Sequence, residues 1–383
     1  MGKKTKVKKV KPFVSICTPT FNRRPFIPIM FECFRNQTYP KDRIEWIIID
    51  DGTDKIKDMI DAANIPQIKY FAYDTKMTLG KKRNLMHDKT SGDILVYMDD
   101  DDYYPPERIE HAVDMLSKSK ALCAGASELY VYFNSLNQMW QCGPYGPNHA
   151  TAGTFAFKRE LLKKSRYNET ACLAEEREFL HGYTIPFVQL EPAKTILVFS
   201  HEHNTFDKRK LLKNPHPDFM KISDKTVDKF IRKENEARVK QFFTKDMDIV
   251  LKDYAPGDPS NKPDVLKQTK EIEEKRKKME NERNAQQNQP SQDNAPIVIQ
   301  EPGKPPVTLK SGDVIRLING LRDKLKTVTM KHDELLTITD LMHKKYNTMK
   351  QEQDKEIIEL KSLNAELQKK LDTSNSETMN AVL

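Results

Sequence analysis

The sequence predicts an α/β fold, with a parallel, helix-covered sheet in about the first half of the chain. Three observations support this. Short apolar segments alternate with candidate helices through short links. The apolar segment over residues 44–49 is nearly continuous, as expected for a strand buried on both faces. Polar and charged side chains follow the end of each segment, where an open parallel sheet binds its ligands.

The predicted elements follow in chain order. Four strands are predicted over residues 14–18, 44–49, 68–73 and 94–98. An apolar stretch over residues 26–34 follows the first strand, Thr78 can cap a helix that continues to Met86, and Pro106 can open another that continues to Leu116. Beyond residue 120 the alternation loosens, and shorter strands are predicted over residues 129–133, 138–140, 154–157 and 195–200.

The composition predicts one globular domain and a charged, extended remainder. Of the 383 residues, 37% are hydrophobic and 31% are charged, and the mean hydropathy is −0.72. Apolar runs long enough for a membrane helix are missing, and the basic N-terminus lacks the apolar segment of a secretory signal. The five cysteines show no CxxC spacing, which fits a reducing compartment. We therefore expect a soluble, cytoplasmic protein.

The net charge of +8 includes six lysines within the first eleven residues. A solvated tail is one interpretation of this segment, and contact with an anionic membrane or nucleic acid is the other. Because no aromatic residues interleave with these lysines, we expect no specific nucleic-acid binding, and at most peripheral membrane contact.

Changes in composition predict six segments. They are a basic tail (1–11), an α/β domain (12–206), a helical extension (207–256), a charged Pro/Gln/Asn-rich linker (257–310), a coiled coil (311–373) and a final tail (374–383). The best helix candidate in the extension covers residues 226–243.

The coiled-coil prediction depends on a seven-residue apolar repeat. It comprises Val314, Leu321, Val328, Leu335, Met342 and Met349, followed after a one-residue slip by Ile357, Leu360, Asn364, Leu367 and Leu371. An Asn at a core position favours a parallel dimer, so we expect a homo-oligomer. Lysines occupy several other core positions, and a lone charged helix is the alternative.

The most informative cluster is the run of four aspartates, Asp99 to Asp102, directly after the strand over residues 94–98. Adjacent carboxylates repel one another, and a divalent cation such as Mg²⁺ or Mn²⁺ would offset that repulsion. Asp99 and Asp101 are the natural pair of ligands. A solvated acidic turn is the alternative.

Other strand ends carry groups suited to a nucleotide or a phosphate. Asp50 and Asp51 end the second strand, where a carboxylate can accept hydrogen bonds from a ribose or a base. Cations near the start of the helix after the third strand, Lys81 to Arg83, would suit a diphosphate.

Taken in order, these motifs resemble the family 2 glycosyltransferases of the GT-A fold over residues 13–205. The matching segments are residues 14–23, 48–53, 80–84 and 99–102. The resemblance implies a Rossmann-like mixed sheet with helices on both faces, and inverting transfer of a hexose from a nucleotide-sugar. A UDP-sugar is the favoured donor and a GDP-sugar is the alternative. It implies Mn²⁺ or Mg²⁺ at the Asp-x-Asp motif of Asp99 and Asp101. The residues it implies for the nucleotide-sugar are Thr18, Pro19, Thr20, Asn22, Arg23, Asp51, Lys81, Arg83, Asp99 and Asp100.

The resemblance also implies a general base in the segment over residues 174–179. Family members usually carry Glu-Asp there, whereas this chain has Glu175-Glu176, so Glu176 or Glu175 is expected to accept the proton of the acceptor hydroxyl. A late histidine, His201 or His203, is expected at the metal or diphosphate. The acceptor would be a glycan or a protein.

Two other functions remain open at this stage. A scaffold that has lost turnover and works through its coiled coil would explain the departure from Glu-Asp. A nucleotidyltransferase would also use carboxylate-bound metals, but it would need a Gly-rich, basic loop near the N-terminus, where only Gly2 is found.

Overall fold

The computed structural model describes residues 10–213, 215–287, 297–299, 307–309 and individual residues between 312 and 368. The chain divides after Lys277 into two units. Each unit is described by itself below.

Among its described residues, the first unit contains eleven strands. They are β1 (Val14–Thr20), β2 (Ile44–Asp50), β3 (Ile68–Ala72), β4 (Ile94–Tyr97), β5 (Cys123–Gly125), β6 (Leu129–Phe133), β7 (Gln138–Cys142), β8 (Ala156–Lys158), β9 (Phe187–Gln189), β10 (Val198–Ser200) and β11 (Met220–Ile222). The α-helices are α1 (Ile27–Arg35), α2 (Lys57–Ala63), α3 (Leu79–Lys89), α4 (Arg108–Lys118), α5 (Glu176–Phe179), α6 (Ala237–Gln241), α7 (Met247–Lys252) and α8 (Pro263–Gln287), whose last turns pass into the second unit.

Seven strands form the main sheet, in the order β3-β2-β1-β4-β8-β5-β9. The first four are parallel, and β8 runs antiparallel to both of its neighbours. The predicted α/β class and the mixed sheet are therefore confirmed. The parallel arrangement predicted from alternation alone holds for β1 to β4, where helices connect the strands.

The main sheet is buried on both faces because successive side chains of a strand point to opposite sides. All seven residues of β2 are buried. Trp46 and Ile48 pack with α1 and α4 on one face, and Ile47 and Ile49 pack with Met86 of α3 on the other. Each buried aliphatic side chain contributes about 1.5–3 kcal/mol, so this sandwich fixes the position of the strand ends.

A smaller sheet, in the order β10-β6-β7-β11, packs with the extension. The single helix predicted over residues 226–243 is not what the structure has. Instead, α6 is followed by a π-helical turn over Phe242–Asp246 and then by α7. The wider turn lets two consecutive aromatic rings pack, since Phe242 lies 5.8 Å from Phe26 and Phe243 lies 4.4 Å from Phe199 between ring centroids.

Residues 255–268, which we call the closing segment, consist of two short 3₁₀ turns and the start of α8. The sequence placed most of this segment in a linker. In the structure it packs on the α/β domain, where Lys262 and Val265 are 5% and 6% exposed. Long-range contacts make this possible: the Asn22 side-chain amide donates to the carbonyl of Pro256 (2.8 Å), and Lys76 pairs with Asp264 (2.5 Å).

The second unit includes a two-stranded antiparallel ladder, β12 (Ile297–Ile299) with β13 (Val307–Leu309). The individual residues described between 312 and 368 are helical. Leu367 and Leu371 of the predicted coiled coil, the tail over residues 374–383 and residues 1–9 lie outside the described residues. None of the helices in the described part of the chain is long and apolar enough to cross a bilayer.

Candidate active site

The carboxyl ends of β1 and β4 border a cleft of about 130 Å³. Other parts of the chain complete its walls: residues 76–83 around the start of α3, the loops around Cys172 and Thr205, and the closing segment. Of the predicted nucleotide-sugar and metal residues, those lining the cleft are Pro19, Thr20, Arg23, Arg83, Asp99, Asp100 and Asp101. The other lining residues are Phe21, Lys76, Met77, Leu79, Lys82, Cys172, Thr205, Lys262, Asp264 and Val265.

The acidic cluster after β4 lies close to Arg23, which follows β1, and to His201, which follows β10. Asp101 lies 3.3 Å from the Nε2 atom of His201 and 3.3 Å from the Nη2 atom of Arg23. Asp100 is 7% exposed, and burial together with the neighbouring Asp101 charge raises its pKa to about 7. Asp100 and Asp101 therefore share the guanidinium of Arg23 as a counter-charge.

These residues fit a divalent cation. Among the described residues, Asp99 Oδ1 and Asp100 Oδ2 are buried without a hydrogen-bond partner, and so is His201 Nδ1. Burial lowers the pKa of His201 to about 3, so its imidazole is neutral. Its Nε2 atom faces Asp101 and lies 2.7 Å from the side-chain amide of Asn204, which a metal at that atom would displace. No group of three or more His, Cys, Asp or Glu residues within the described ranges is already gathered as a complete metal site. Magnesium commonly takes only one or two carboxylates and completes its shell with phosphates and water.

His203, the other candidate histidine, has different contacts. Its Nε2 atom lies 3.8 Å from Glu202, and its ring centroid lies 6.2 Å from that of Tyr254. Its backbone carbonyl accepts a hydrogen bond from Arg23 Nη2 (2.7 Å). His203 therefore positions Arg23 through its backbone carbonyl, and the contact with Asp101 belongs to His201.

Arg83 connects the acidic cluster to the pair of glutamates. Its Nε atom lies 2.8 Å from Glu175 Oε1, and its Nη1 atom lies 3.7 Å from Asp99 Oδ1. The guanidinium also lies 4.5 Å from the centre of the Tyr97 ring. With only 3% of its side chain exposed, Arg83 is a fixed cation between two carboxylates.

The two glutamates differ in their surroundings. Glu175 is buried and held by Arg83, whereas Glu176 begins α5 and is only partly buried. Burial, and then the charge of Glu175, raises the pKa of Glu176 to about 7. A carboxylate with this pKa accepts a proton more readily near neutral pH than an ordinary glutamate does.

On α3, the structure brings Lys82 to the cleft and leaves Lys81 exposed. Lys82 pairs with the buried Asp51, whose other oxygen accepts a hydrogen bond from the backbone N–H of Met77 (2.6 Å). Helical phase explains the difference: Leu79, Lys82 and Arg83 recur on one face. That periodicity is visible in the sequence and could have singled out Lys82.

Thr18 and Asn22 lie outside the cleft lining. Thr18 is fully buried within β1, where its hydroxyl donates to the carbonyl of Met98 (2.6 Å) and accepts from the Trp46 indole (2.8 Å). Asn22 uses its side chain to bind Pro256 and the backbone N–H of Asp54. Both residues support the cleft from behind.

Lys262 of the closing segment was not predicted. Its ammonium has no carboxylate within 4.0 Å in the described part of the chain, although it lies in the field of Asp101 and Asp100. Burial and the nearby Arg23 charge lower its pKa to about 6. Nothing in the local sequence marks Lys262, because its position depends on contacts with residues more than 180 positions earlier.

Residues 15–180 match the protein-family model described as Glycosyl transferase family 2. An uncharacterized glycosyltransferase of Haemophilus influenzae is 30% identical over 110 residues, covering 27% of this chain and 42% of that protein. Glycosyltransferase AglE of Haloferax volcanii is 27% identical over 127 residues, covering 32% and 41%. The chain thus spans less than half the length of these curated relatives.

Among solved structures, S. aureus TarS 1–349 in complex with UDP-GlcNAc is 17% identical, with a TM-score of 0.40 over 49% of this chain and 59% of that one. The family match is the informative comparison. It confirms, for residues 15–180, the resemblance to family 2 glycosyltransferases that the sequence motifs predicted.

Proposed function

We propose that the protein is a metal-dependent, inverting glycosyltransferase that moves a hexose from a UDP-sugar to a hydroxyl group of an acceptor. One observation carries the proposal: Arg83 joins Asp99 of the acidic cluster to Glu175, beside Glu176, within the segment that matches the family. Arg83 thus connects the end of the site where the donor would bind, at the acidic cluster, with the end where the general base would act, at the glutamate pair.

At the donor end, Arg23, Lys82 and Lys262 would bind the diphosphate. All three side chains line the same cleft, and charge-assisted hydrogen bonds to phosphate oxygens are stronger than neutral ones. Lys262, whose pKa is lowered to about 6 by burial and Arg23, would take up a proton beside the anionic diphosphate. Asp101 and His201 would hold Mn²⁺ or Mg²⁺, with Asp99 as the further carboxylate. When bound, the cation supplies positive charge that stabilises the departing diphosphate.

At the base end, Glu176 would accept the proton of the acceptor hydroxyl. The acceptor oxygen forms its bond to the anomeric carbon from the face opposite the leaving group, the bond between that carbon and the phosphate oxygen breaks, and the nucleoside diphosphate leaves with the electron pair. Glu175 is the less suitable base because its carboxylate is committed to Arg83. Its role would be to hold Arg83 and to raise the proton affinity of Glu176.

A donor screen tests the proposal. Hydrolysis of UDP-, GDP- and CMP-sugars is measured with Mn²⁺, and again with EDTA. We expect turnover of a UDP-sugar that EDTA abolishes. Binding of a UDP-sugar without any turnover would instead favour a scaffold that has lost catalysis, and full activity in EDTA would contradict the metal.

A further inference from the structure

Four aromatic rings lie side by side on the surface of the first unit. We call Phe219, Tyr145, His149 and Tyr183 the aromatic row. Successive ring centroids are 5.2 Å, 4.7 Å and 4.7 Å apart. None of the four is fully buried, and Tyr145 is 40% exposed. Large rings are usually covered, so four neighbouring rings that are only partly buried indicate a binding surface.

The row is held rigidly although it is built on loops. The Ser127 hydroxyl accepts hydrogen bonds from the backbone N–H groups of Tyr145 (2.8 Å) and Gly146 (3.0 Å). Gln189 donates to the carbonyl of His149 (3.0 Å), and the N–H of Gly143 donates to the carbonyl of Phe219 (2.8 Å). Fixed rings lose little entropy when a ligand binds, which favours affinity.

One end of the row meets the helix that carries Glu176. Tyr183 stands in a turn that folds back on α5, with the Gly182 N–H donating to the carbonyl of Arg177 (2.8 Å). Tyr183 has a φ of 66°, a conformation that is unfavourable for tyrosine and is retained where the surroundings enforce it. Burial and then the Glu176 carboxylate raise the pKa of Tyr183 to about 12, which is consistent with their proximity.

The chemistry of the row favours a sugar. An aromatic face is electron-rich and flat, and it complements the C–H bonds on the apolar face of a pyranose ring. The spacing of the rings is close to the length of one pyranose residue. His149 adds a polar group, since its Nδ1 atom is buried and without a hydrogen-bond partner among the described residues. No side chain of the row carries a fixed charge to match a charged peptide.

We infer that the aromatic row binds the pyranose rings of the acceptor, so that the acceptor of this enzyme is a glycan, with its terminal hydroxyl delivered to Glu176. The inference rests on the proposed function for the reaction, but the binding of saccharides can be measured without it. The row lies outside the donor cleft, so the two sites can be tested separately.

The test is saturation-transfer NMR on the full chain. The probes are mono- and disaccharides of glucose, galactose, mannose and N-acetylglucosamine, with serine- and threonine-containing peptides alongside. We expect a disaccharide to bind, and Tyr145→Ala to weaken its binding about tenfold. Tyr145→Phe, which keeps the ring, should bind within about twofold of wild type. Tyr132→Ala is the matched control, because Tyr132 is also partly exposed but lies outside the row.

The inference is overturned if none of the saccharides binds, if Tyr145→Ala binds them as wild type does, or if only the peptides bind. Thermal melting checks that each variant is folded. Saccharide binding at the row together with failure of every donor in the hydrolysis screen would refute the proposed function and retain the binding site. Donor hydrolysis without saccharide binding would refute the aromatic row as an acceptor site and would leave the proposed function in place.

Discussion

The two units of the chain differ in how far their apolar side chains are buried. In the first unit, Trp46 and Ile47 of β2 have no exposed surface. In the second, Val314 is partly buried, but seven other apolar residues of the seven-residue repeat are between 48% and 69% exposed: Leu321, Val328, Leu335, Met342, Met349, Ile357 and Leu360. The first unit buries these side chains in its own core. In the second unit, the described residues of the repeat are helical and leave most of their apolar side chains exposed.

This difference separates two tasks. The residues proposed for chemistry all lie in the first unit, whose core needs no partner. The exposed repeat is what a coiled coil would bury against another copy, each aliphatic side chain contributing about 1.5–3 kcal/mol. We therefore propose that catalysis depends on the first unit alone and that self-association depends on the second.

The largest effect should come from removing the base. Glu176→Gln keeps the shape of the side chain but cannot accept a proton, so sugar transfer should fall about 10²–10⁴-fold with donor binding retained. Glu178→Gln is the matched control, because Glu178 is an exposed glutamate on the same helix. A dead Glu175→Gln beside an active Glu176→Gln would exchange the two roles.

The pH profile of wild-type transfer should locate the same group. Glu176 acts when deprotonated, and burial and Glu175 raise its pKa to about 7. Transfer should therefore rise with pH, reach half of its maximum near pH 7 and level off above that pH. Glu175→Gln removes the neighbouring negative charge, so any remaining activity should extend to lower pH. An acid limb near the ordinary pKa of glutamate in wild type would argue against Glu176.

A smaller loss is expected at the cation. Asp101→Ala removes the carboxylate next to His201, so donor turnover should fall about a hundredfold or more while the protein stays folded. Excess Mn²⁺ should restore little of this activity. Asp114→Ala, on the exposed side of α4, serves as the control. Wild-type turnover by Asp101→Ala would remove this residue from the metal site.

The closing segment should affect the donor more than the chemistry. Lys262→Ala deletes a buried amine that lines the cleft and would be protonated beside a bound diphosphate, so the KM for the nucleotide-sugar should rise about tenfold. Lys267→Ala removes an exposed lysine five residues later and should leave that KM unchanged. An equal effect of both substitutions would reduce the role of Lys262 to general electrostatics.

The smallest effect on activity should come from deleting residues 288–383, which keeps α8 intact. Transfer should stay within about twofold of the full chain, while sedimentation velocity at micromolar concentration should show the loss of self-association. A full chain that sediments as a monomer would contradict the proposed oligomer. A truncated chain that loses activity would show that the two units do not divide the tasks.

Sequence patterns predicted the first strands well because burial on both faces leaves a continuous apolar signal, as in β2. They also predicted that the acidic cluster would follow β4. Lys81 was predicted in place of Lys82 because local charge was considered and the spacing of Leu79, Lys82 and Arg83, which puts them on one helix face, was not. Lys262 and Tyr145 were beyond reach, since each depends on contacts between residues distant in the chain, and loops carry no periodic signal. The break between α6 and α7 likewise reflects tertiary packing of two phenylalanines.

A cysteine side chain in the cleft can report on whether the cleft is covered. All five cysteines are reduced and buried, and Cys172 is the one that lines the cleft in the described structure, 4% exposed and with its sulfur 3.4 Å from Asp264. Burial and Asp264 raise its pKa to about 11, so at neutral pH it stays a thiol and reacts slowly with alkylating reagents. Its labelling rate would therefore rise if the closing segment left the cleft, and a bound donor should slow it.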